Sequence, residues 1–452
     1  MKKSLFLLLN KLTPFQVIVS YYLVAVTVST ILLSLPGAHQ PDSEWTFIDA
    51  IFTAVSAVSV TGLTTINVSE TFSTEGIFIL MFVLQFGGVG VMTLGTFFWM
   101  ILGKKIGLKE RRLMMTDQNQ TNLAGMVNLL KQILILIILI ELAGALILGI
   151  YFLDYFPNWK IAFLQGLFAS VSATTNAGFD ITGASLIPFA NDYFVQFINI
   201  ILLTLGAIGF PVLIEVKNFL FHKSTTVKFR FSLYTKLTTI TFFGLLVFGT
   251  IMILLLEQNA FLSNKSWHQS FFYALFQSST TKSSGLATMD VSEFTTPTLL
   301  VMSALMFIGA SPSSVGGGIR TTTFALNLLF LYSFAKGRKS IKVFRREIHE
   351  EDLYKSLAVT MMAGLICFMS VVALSISEKE MGLMPIIFEV ASAFGTTGLS
   401  MGITSDLSTF GKIVIMFLMF VGRIGILAFL FMLGGRNNNV NYHYPKERVI
   451  IG

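Results

Sequence analysis

The chain is short of charge and nearly devoid of cysteine. Lys, Arg, Asp and Glu make up only 12% of its 452 residues, about half of what a soluble domain carries. The lone cysteine, Cys367, lies inside an apolar segment, which excludes disulfides within the chain and thiolate metal centres. Five histidines (His39, His222, His268, His349 and His443) are scattered through connecting segments without ligand spacing. No cluster of His, Cys and acidic residues occupies an apolar run, as a membrane enzyme would require; the chain reads as a non-enzyme. Its start, "MKKSLFLLLNKL", has a basic lead but neither a long apolar stretch nor a small-residue cleavage site, and so does not read as a signal peptide.

What is abundant is apolar sequence, 54% of the chain. Much of it falls in runs such as "PFQVIVSYYLVAVTVSTILLSLP" from Pro14 and "ILILIILIELAGALILGIYFL" from Ile133. Runs of about 20 such residues match the roughly 30 Å hydrocarbon core of a bilayer. The expected class is an all-α polytopic membrane protein. Basic residues gather in "GKKIGLKERR" (103–112), around Lys217 to Lys236, in "KGRKSIKVFRR" (336–346) and at both ends. The intervening segments carry carboxylates such as Glu44, Glu70, Asp154, Asp192, Asp290 and Glu378, with few Lys or Arg. The positive-inside rule then places both termini and the basic loops in the cytoplasm, across a plasma membrane crossed an even number of times.

One octet returns four times: "SAVSVTGL" at 56, "SATTNAGF" at 172, "STTKSSGL" at 279 and "SAFGTTGL" at 392. Each begins with Ser, has Gly seventh and ends on a large apolar residue. The glycines, Gly62, Gly178, Gly285 and Gly398, are 116, 107 and 113 residues apart, long enough for one repeated unit. A stretch of about 10–13 residues precedes each octet, too short to span a bilayer but suited to a re-entrant helix. The predicted unit is outer helix, re-entrant pore helix, extended octet, inner helix. Four tandem units in pseudo-fourfold arrangement give eight crossings, with boundaries at 12–120, 121–230, 231–345 and 346–452. The inner segments share a second mark: "FGGVG" (Gly87, Gly90), "LGAIG" (Gly206, Gly209), "VGRIG" (Gly422, Gly425) and, altered, "IGASP" with Gly309 and Pro312. Close helix packing through small residues is the plain explanation.

Non-helical backbone at membrane depth must be buried in protein or line a water-filled path. Glycine frees the chain to turn successive carbonyls to one side, and a ring of carbonyl oxygens can replace the hydration shell of a monovalent cation. The octets carry no carboxylate: Val60, Thr61, Asn176, Ala177, Ser283, Ser284, Thr396 and Thr397 are neutral. Such a ring disfavours divalent ions. A weakly hydrated monovalent cation is therefore expected to pass on the backbone carbonyls of those eight residues.

With these motifs, the chain resembles the Trk/Ktr/HKT superfamily of potassium transporters, and within it the bacterial Ktr membrane subunit. The resemblance covers about residues 12 to 452 and rests on the octets, on "GASPSSVGGGIRTTTF" (309–324) and on "FVGRIG" (420–425). It implies that the cation is potassium and that its selectivity filter is made of Val60, Thr61, Gly62, Leu63, Asn176, Ala177, Gly178, Phe179, Ser283, Ser284, Gly285, Leu286, Thr396, Thr397, Gly398 and Leu399. Glycine rather than serine at Gly62 goes with potassium preference. One glycine per repeat provides few carbonyl rings, so sodium permeation or a sodium requirement is the nearer alternative. A secondary solute transporter, built as two halves with paired broken helices, is the alternative from another class.

Proline and three consecutive glycines cannot continue a helix cheaply, so the third inner segment is expected to unwind within a crossing. The resemblance makes Gly309, Ala310, Ser311, Pro312, Ser313, Ser314, Val315, Gly316, Gly317 and Gly318 an intramembrane gate, with helix resuming by Thr323. Arg423, central in the last apolar segment, must face the bundle interior and by resemblance takes part in gating. Lys282, next to the third filter strand, is expected to turn sideways and pair behind it. Glu141 and Glu389 are read as structural. The resemblance also implies partners: a homodimer, with the tail "YHYPKERVIIG" at its contact, seated on a cytosolic ring of nucleotide-binding regulatory subunits. That ring alone would bring nucleotide to the system, acting through the loops at 103–125 and 336–355. The remaining partner is the lipid bilayer; no nucleic acid is expected.

Overall fold

A computed structural model describes residues 14–41, 43–90, 111, 115, 126–221, 229–338, 340–433, 445 and 447. Helix dominates, and the strand content among these residues is one hairpin of two two-residue strands, Lys342–Val343 with Arg346–Glu347. Among the described residues four helices are long and apolar enough to cross a membrane: α1 (Pro14–Leu33), α4 (Met126–Tyr151), α8 (Leu233–Glu257) and α12 (Glu350–Ser377). Their outer faces expose Val24, Ile31, Leu139, Ile150, Val247, Leu255, Met361 and Ile376. An apolar surface this extensive, on helices this long, suits the hydrocarbon of a bilayer. This is a multi-pass membrane protein.

Each long helix is followed by a short one: α2 (Phe47–Ser59), α5 (Trp159–Thr174), α9 (Trp267–Thr280) and α13 (Leu383–Gly395). The second is the longest, at 16 residues, and the last three of these belong to its octet. At 1.5 Å per residue all four fall short of about 30 Å. Polar caps start them where the sequence offers Ser, Thr or Asn: capping boxes at Thr46/Asp49 and Ser266/Gln269, and the Asn158 side chain on the Lys160 N–H.

A third set comes after the octets: α3 (Thr74–Val89), α6 (Tyr193–Ala207) with α7 (Phe210–Leu220), α10 (Thr296–Ile308) with α11 (Thr321–Ala335), and α14 (Thr409–Ile424) with α15 (Ile426–Leu433). In every quarter the start of this helix is tied to the end of the long one. The Ser73 hydroxyl donates to the Gly37 carbonyl at 2.7 Å, and the Tyr155 hydroxyl to Asp192 at 2.5 Å. Buried Glu257 accepts from the Thr295 N–H at 2.9 Å and its hydroxyl at 2.7 Å, while Glu378 accepts from the Ser408 hydroxyl. The sequence had marked Glu378 only as a loop carboxylate.

The quarters interlock in cyclic order. Helix α3 packs on α5, α6 on α9, α10 on α13 and α14 on α2. The buried apolar clusters fill the seams of this circuit, with Phe72, Phe168 and Phe210 in one and Phe52, Ile415 and Phe394 in another. The boundary drawn at 345/346 falls inside the hairpin, between Arg345 and Arg346.

Candidate functional site: the four octets and the loop beneath them

Each octet begins as the last turn of a short helix and ends as extended chain. Its fifth residue has positive φ although it is not glycine: Val60 (57°), Asn176 (52°), Ser283 (79°) and Thr396 (47°). The seventh is the expected glycine, also positive: Gly62 (96°), Gly178 (71°), Gly285 (73°) and Gly398 (93°). Left-handed and ordinary residues thus alternate, which turns successive carbonyls to one side of the strand. The sequence signalled only the glycine half of this alternation, because nothing in Val, Ser or Thr announces a left-handed backbone and Asn176 alone is of a type enriched there.

The octet's other fixed positions have structural work. Its first serine ties the strand to the helix end: Ser56 Oγ accepts the Gly62 N–H at 3.0 Å, Ser392 Oγ the Gly398 N–H at 3.0 Å, and Ser172 Oγ donates to the Phe179 carbonyl at 2.6 Å. In the third octet the tie shifts by one residue, and Thr280 Oγ1 donates to the Leu286 carbonyl at 2.6 Å. The last apolar residue anchors the strand, and Leu63, Phe179, Leu286 and Leu399 each enter a different core cluster.

The four glycines meet. A Cβ added to Gly62 would lie 2.6 Å from the Ala177 oxygen and 2.9 Å from Gly178 Cα; one on Gly178 would lie 2.8 Å from the Ser284 oxygen and 3.2 Å from Gly285 Cα. One on Gly285 would lie 3.0 Å from Gly398 Cα, and one on Gly398 would press on the Thr61 oxygen and lie 3.0 Å from Gly62 Cα, closing the circle. Gly62, Gly178 and Gly398 stay partly exposed while Val60, Thr61, Asn176, Ala177, Ser283, Ser284, Thr396 and Thr397 are buried. Apart from these three glycines, the last four residues of each octet are buried.

Below the circle, residues 309–320 run as a non-helical loop between α10 and α11, with Gly309 at φ 72° and Arg320 at φ 81°. Helix resumes at Thr321, two residues earlier than expected. A break in a neighbouring helix meets the loop's backbone needs. Between α6 and α7, which bend by 104°, the Ala207 and Gly206 carbonyls accept the Ser311 and Val315 N–H groups at 3.0 and 3.2 Å. The Phe210 N–H donates to the Ser313 carbonyl at 2.9 Å and the Tyr234 hydroxyl to that of Pro312 at 2.6 Å. Interruption was expected only in the third quarter, but Gly90, Gly209 and Gly425 end or restart helices in the other three, all at positive φ. The preceding glycines do pack closely: a Cβ on Gly87 would lie 2.6 Å from the Ala57 oxygen, and Gly206 and Gly422 lie against the Thr174 and Phe394 oxygens.

Two guanidinium groups hold the loop. Arg423 donates to the Val315 carbonyl and to those of Gly87 and Gly88; Arg320 donates to the next carbonyl, Gly316, and to Ser311. Arg320 carried no expectation from the sequence although it lies within "GASPSSVGGGIRTTTF". A cavity of about 680 Å³, bordered by Gly88, Ser314, Arg320, Arg423 and Tyr22, opens beneath. Lys282 is buried, and its Nζ has no hydrogen-bond partner among the described residues; the expected pairing is not observed. Glu141 accepts from Gln85 Nε2 at 2.6 Å, and Glu389 from Ser400 and Thr404 at 2.8 and 2.5 Å, so both brace neighbouring elements. Among the described residues no group of three His, Cys, Asp or Glu could hold a metal ion. The basic segment 103–112 except Arg111, and the tail from 434 except Pro445 and Glu447, lie outside the described residues.

Comparisons with known proteins add to this geometry. Residues 6–434 match the family model TrkH, described as a cation transport protein. The chain is 62% identical, over 98% of both chains, to Ktr system potassium uptake protein D of Bacillus subtilis (strain 168). It is 32% identical, again over 98% of both, to the potassium/sodium uptake protein NtpJ of Enterococcus hirae. A crystal structure of the potassium transporter TrkH from Vibrio parahaemolyticus is similar with a TM-score of 0.70 at 21% identity, covering 90% of this chain and 83% of that one; it shows the shared fold.

Proposed function

We infer the function from one premise: the chain belongs to the TrkH family of cation transport proteins. Its function is potassium uptake across the cell membrane as a channel-like transporter subunit. The observation that carries this reading is the circle of four glycines with alternating backbone φ. Neutral carbonyls converging on one axis suit a weakly hydrated monovalent cation. The short helices end at this circle, so their partly negative C-termini add to cation stabilisation.

The architecture behind this reading is four quarters around one pore. The long helices and the broken helices that follow the octets make eight crossings, with both termini cytoplasmic. Residues 309–318 with Arg423 form the gate. The chain works as a homodimer on a cytosolic nucleotide-binding ring, whose ligand-dependent movement supplies the energy difference that opens the loop. Four cyclically packed quarters argue against a two-half secondary transporter.

Sodium permeation is the second reading. One circle of glycines gives few carbonyl rings, and a relative 32% identical is named for potassium and sodium uptake. Tracer rubidium flux into vesicles containing the purified chain, with and without sodium, tests both. Saturable rubidium entry that potassium blocks and sodium does not is expected. Equal block by sodium would favour the second reading, and absence of flux with the ring present would refute uptake.

A further inference from the structure

We propose that the Ser283 hydroxyl couples the loop to the filter, so that the seating of the gate sets the cation affinity of the lowest carbonyl ring. This rests on the filter and gate reading above. Ser283 is wholly buried at the fifth position of the third octet. Its Oγ donates to the backbone carbonyl of Thr396, the fifth position of the fourth octet, at 2.6 Å. The same oxygen accepts the Gly317 N–H of the loop at 3.3 Å. The contact is tight because the loop carries glycine there: a Cβ on Gly316 would lie 2.5 Å from Ser283 Cβ and Oγ, and one on Gly317 would lie 2.6 Å from Thr396 Oγ1. At the corresponding position of the first octet stands Val60, which has no hydroxyl.

The result is a chain of hydrogen bonds from loop N–H to hydroxyl to filter carbonyl. Each bond in such a chain polarises the next. A seated loop strengthens the hold of the hydroxyl on the Thr396 oxygen, which is then a poorer ligand for a cation. Withdrawal of Gly317 weakens that hold and returns the oxygen to the axis. By linkage the effect is reciprocal: a cation on the lowest ring favours the withdrawn loop.

The test uses the full chain in vesicles, with rubidium KM and maximal flux measured for Ser283→Gly, Ser283→Ala, deletion of Val315–Gly317, and deletion combined with Ser283→Gly. Gly316→Ala provides a second means of displacing the loop. Displacing the loop in the wild-type background should raise maximal flux and lower KM by about three- to tenfold, the range one hydrogen bond supports. Ser283→Gly alone should lower KM similarly, and loop displacement in that background should raise flux with no further change in KM. Alanine matching glycine assigns the effect to the hydroxyl; an effect of glycine alone would assign it to relief of strain at φ 79° and overturn the proposal. A wild-type KM in Ser283→Gly, with loop displacement still raising flux, overturns the coupling and leaves the gate intact. No rise in flux on displacing the loop refutes the gate itself, and the coupling with it.

Discussion

Lys412 and Asp49, 363 residues apart, form an ion pair of 3.0 Å between α14 in the last quarter and α2 in the first. Both side chains are largely buried, unlike the exposed pairs of Lys355 with Glu351 and Asp352. The pair lies at the end of α2 remote from the octets, outside the long helices, and joins the ends of the cyclic packing. Asp49 also accepts from Thr46 and Thr65. Burial alone would raise its carboxyl pKa, but hydrogen bonds from Thr46, Thr65 and Lys412 outweigh it and hold the value at about 2.

A carboxyl held below its ordinary value stabilises the fold above the unfolded pKa, and loses that contribution as pH falls through the folded one. The stabilisation, of order 2 kcal/mol, should therefore be complete at neutral pH and fade from about pH 4 toward 2. Asp49→Asn should lower the melting temperature of the purified protein at pH 7, by an amount that shrinks on acidification. A difference that persists unchanged at pH 3 would mean that packing, not charge, holds the seam.

Much of this circuit was legible in the chain because it is repetitive. The four octets, their spacing and the short apolar stretches before them located the long helices, the short helices and the glycines that meet. What escaped notice depends on backbone conformations that residue type does not announce. Positive φ at Val60 and Thr396 is imposed by the helix end and the serine tie, and neither residue favours it. The breaks at Gly90, Gly209 and Gly425 looked like packing glycines, since the same residue serves close approach and left-handed turns. Arg320 was overlooked because it sits at the edge of the apolar run rather than inside it. The capping roles of Glu257 and Glu378 depend on contacts 38 and 30 residues away, which local pattern cannot reveal.

Replacing a circle glycine should damage selectivity more than folding. At Gly398 (φ 93°) a methyl group meets the Thr61 carbonyl of the neighbouring quarter, and at Gly62 (φ 96°) that of Ala177. Left-handed backbone costs alanine about 1–2 kcal/mol, and the clash displaces a carbonyl of the next strand. Gly62→Ala and Gly398→Ala should raise the potassium KM and lower the potassium-to-sodium ratio by about tenfold or more, since 1.4 kcal/mol is a factor of ten. Wild-type ratios in both variants would remove these glycines from the filter.

The two arginines should separate by their partners. Arg423 joins the loop to the first quarter through Gly87 and Gly88, whereas the bonds of Arg320 stay within the loop. Hydrogen bonds from a charged donor contribute about 1.5–3 kcal/mol each. Arg423→Gln and Arg320→Gln should each raise flux by at least about tenfold without preventing membrane insertion. Only the first should also lower the melting temperature markedly. Wild-type flux in Arg423→Gln would reduce that residue to a structural brace.

The proposed regulatory ring has a candidate contact beside the loop. The hairpin at Lys342–Glu347 projects Arg345 and Arg346 into solvent, with both Phe344 (φ 49°) and Arg345 (φ 63°) in the left-handed turn. It lies between α11, which follows the loop, and α12, so a pull on it reaches the loop through α11. Its basic residues and those of 103–112 suit either anionic lipid or an acidic protein face. The two differ in what charge reversal does. If lipid is the sole partner, Lys104→Glu, Lys105→Glu, Arg111→Glu and Arg112→Glu together should change flux in proportion to the anionic lipid of the vesicle and ignore nucleotide. If a nucleotide-binding ring is the partner, the same reversal should weaken co-purification with it and abolish the nucleotide response, with basal flux from the isolated chain unaltered. In that case reversing Arg345 and Arg346 alone should uncouple the response while the ring stays bound, because a contact beside α11 would transmit movement while the first loop would supply affinity. Nucleotide-regulated flux from the purified chain without any added subunit would rule the ring out.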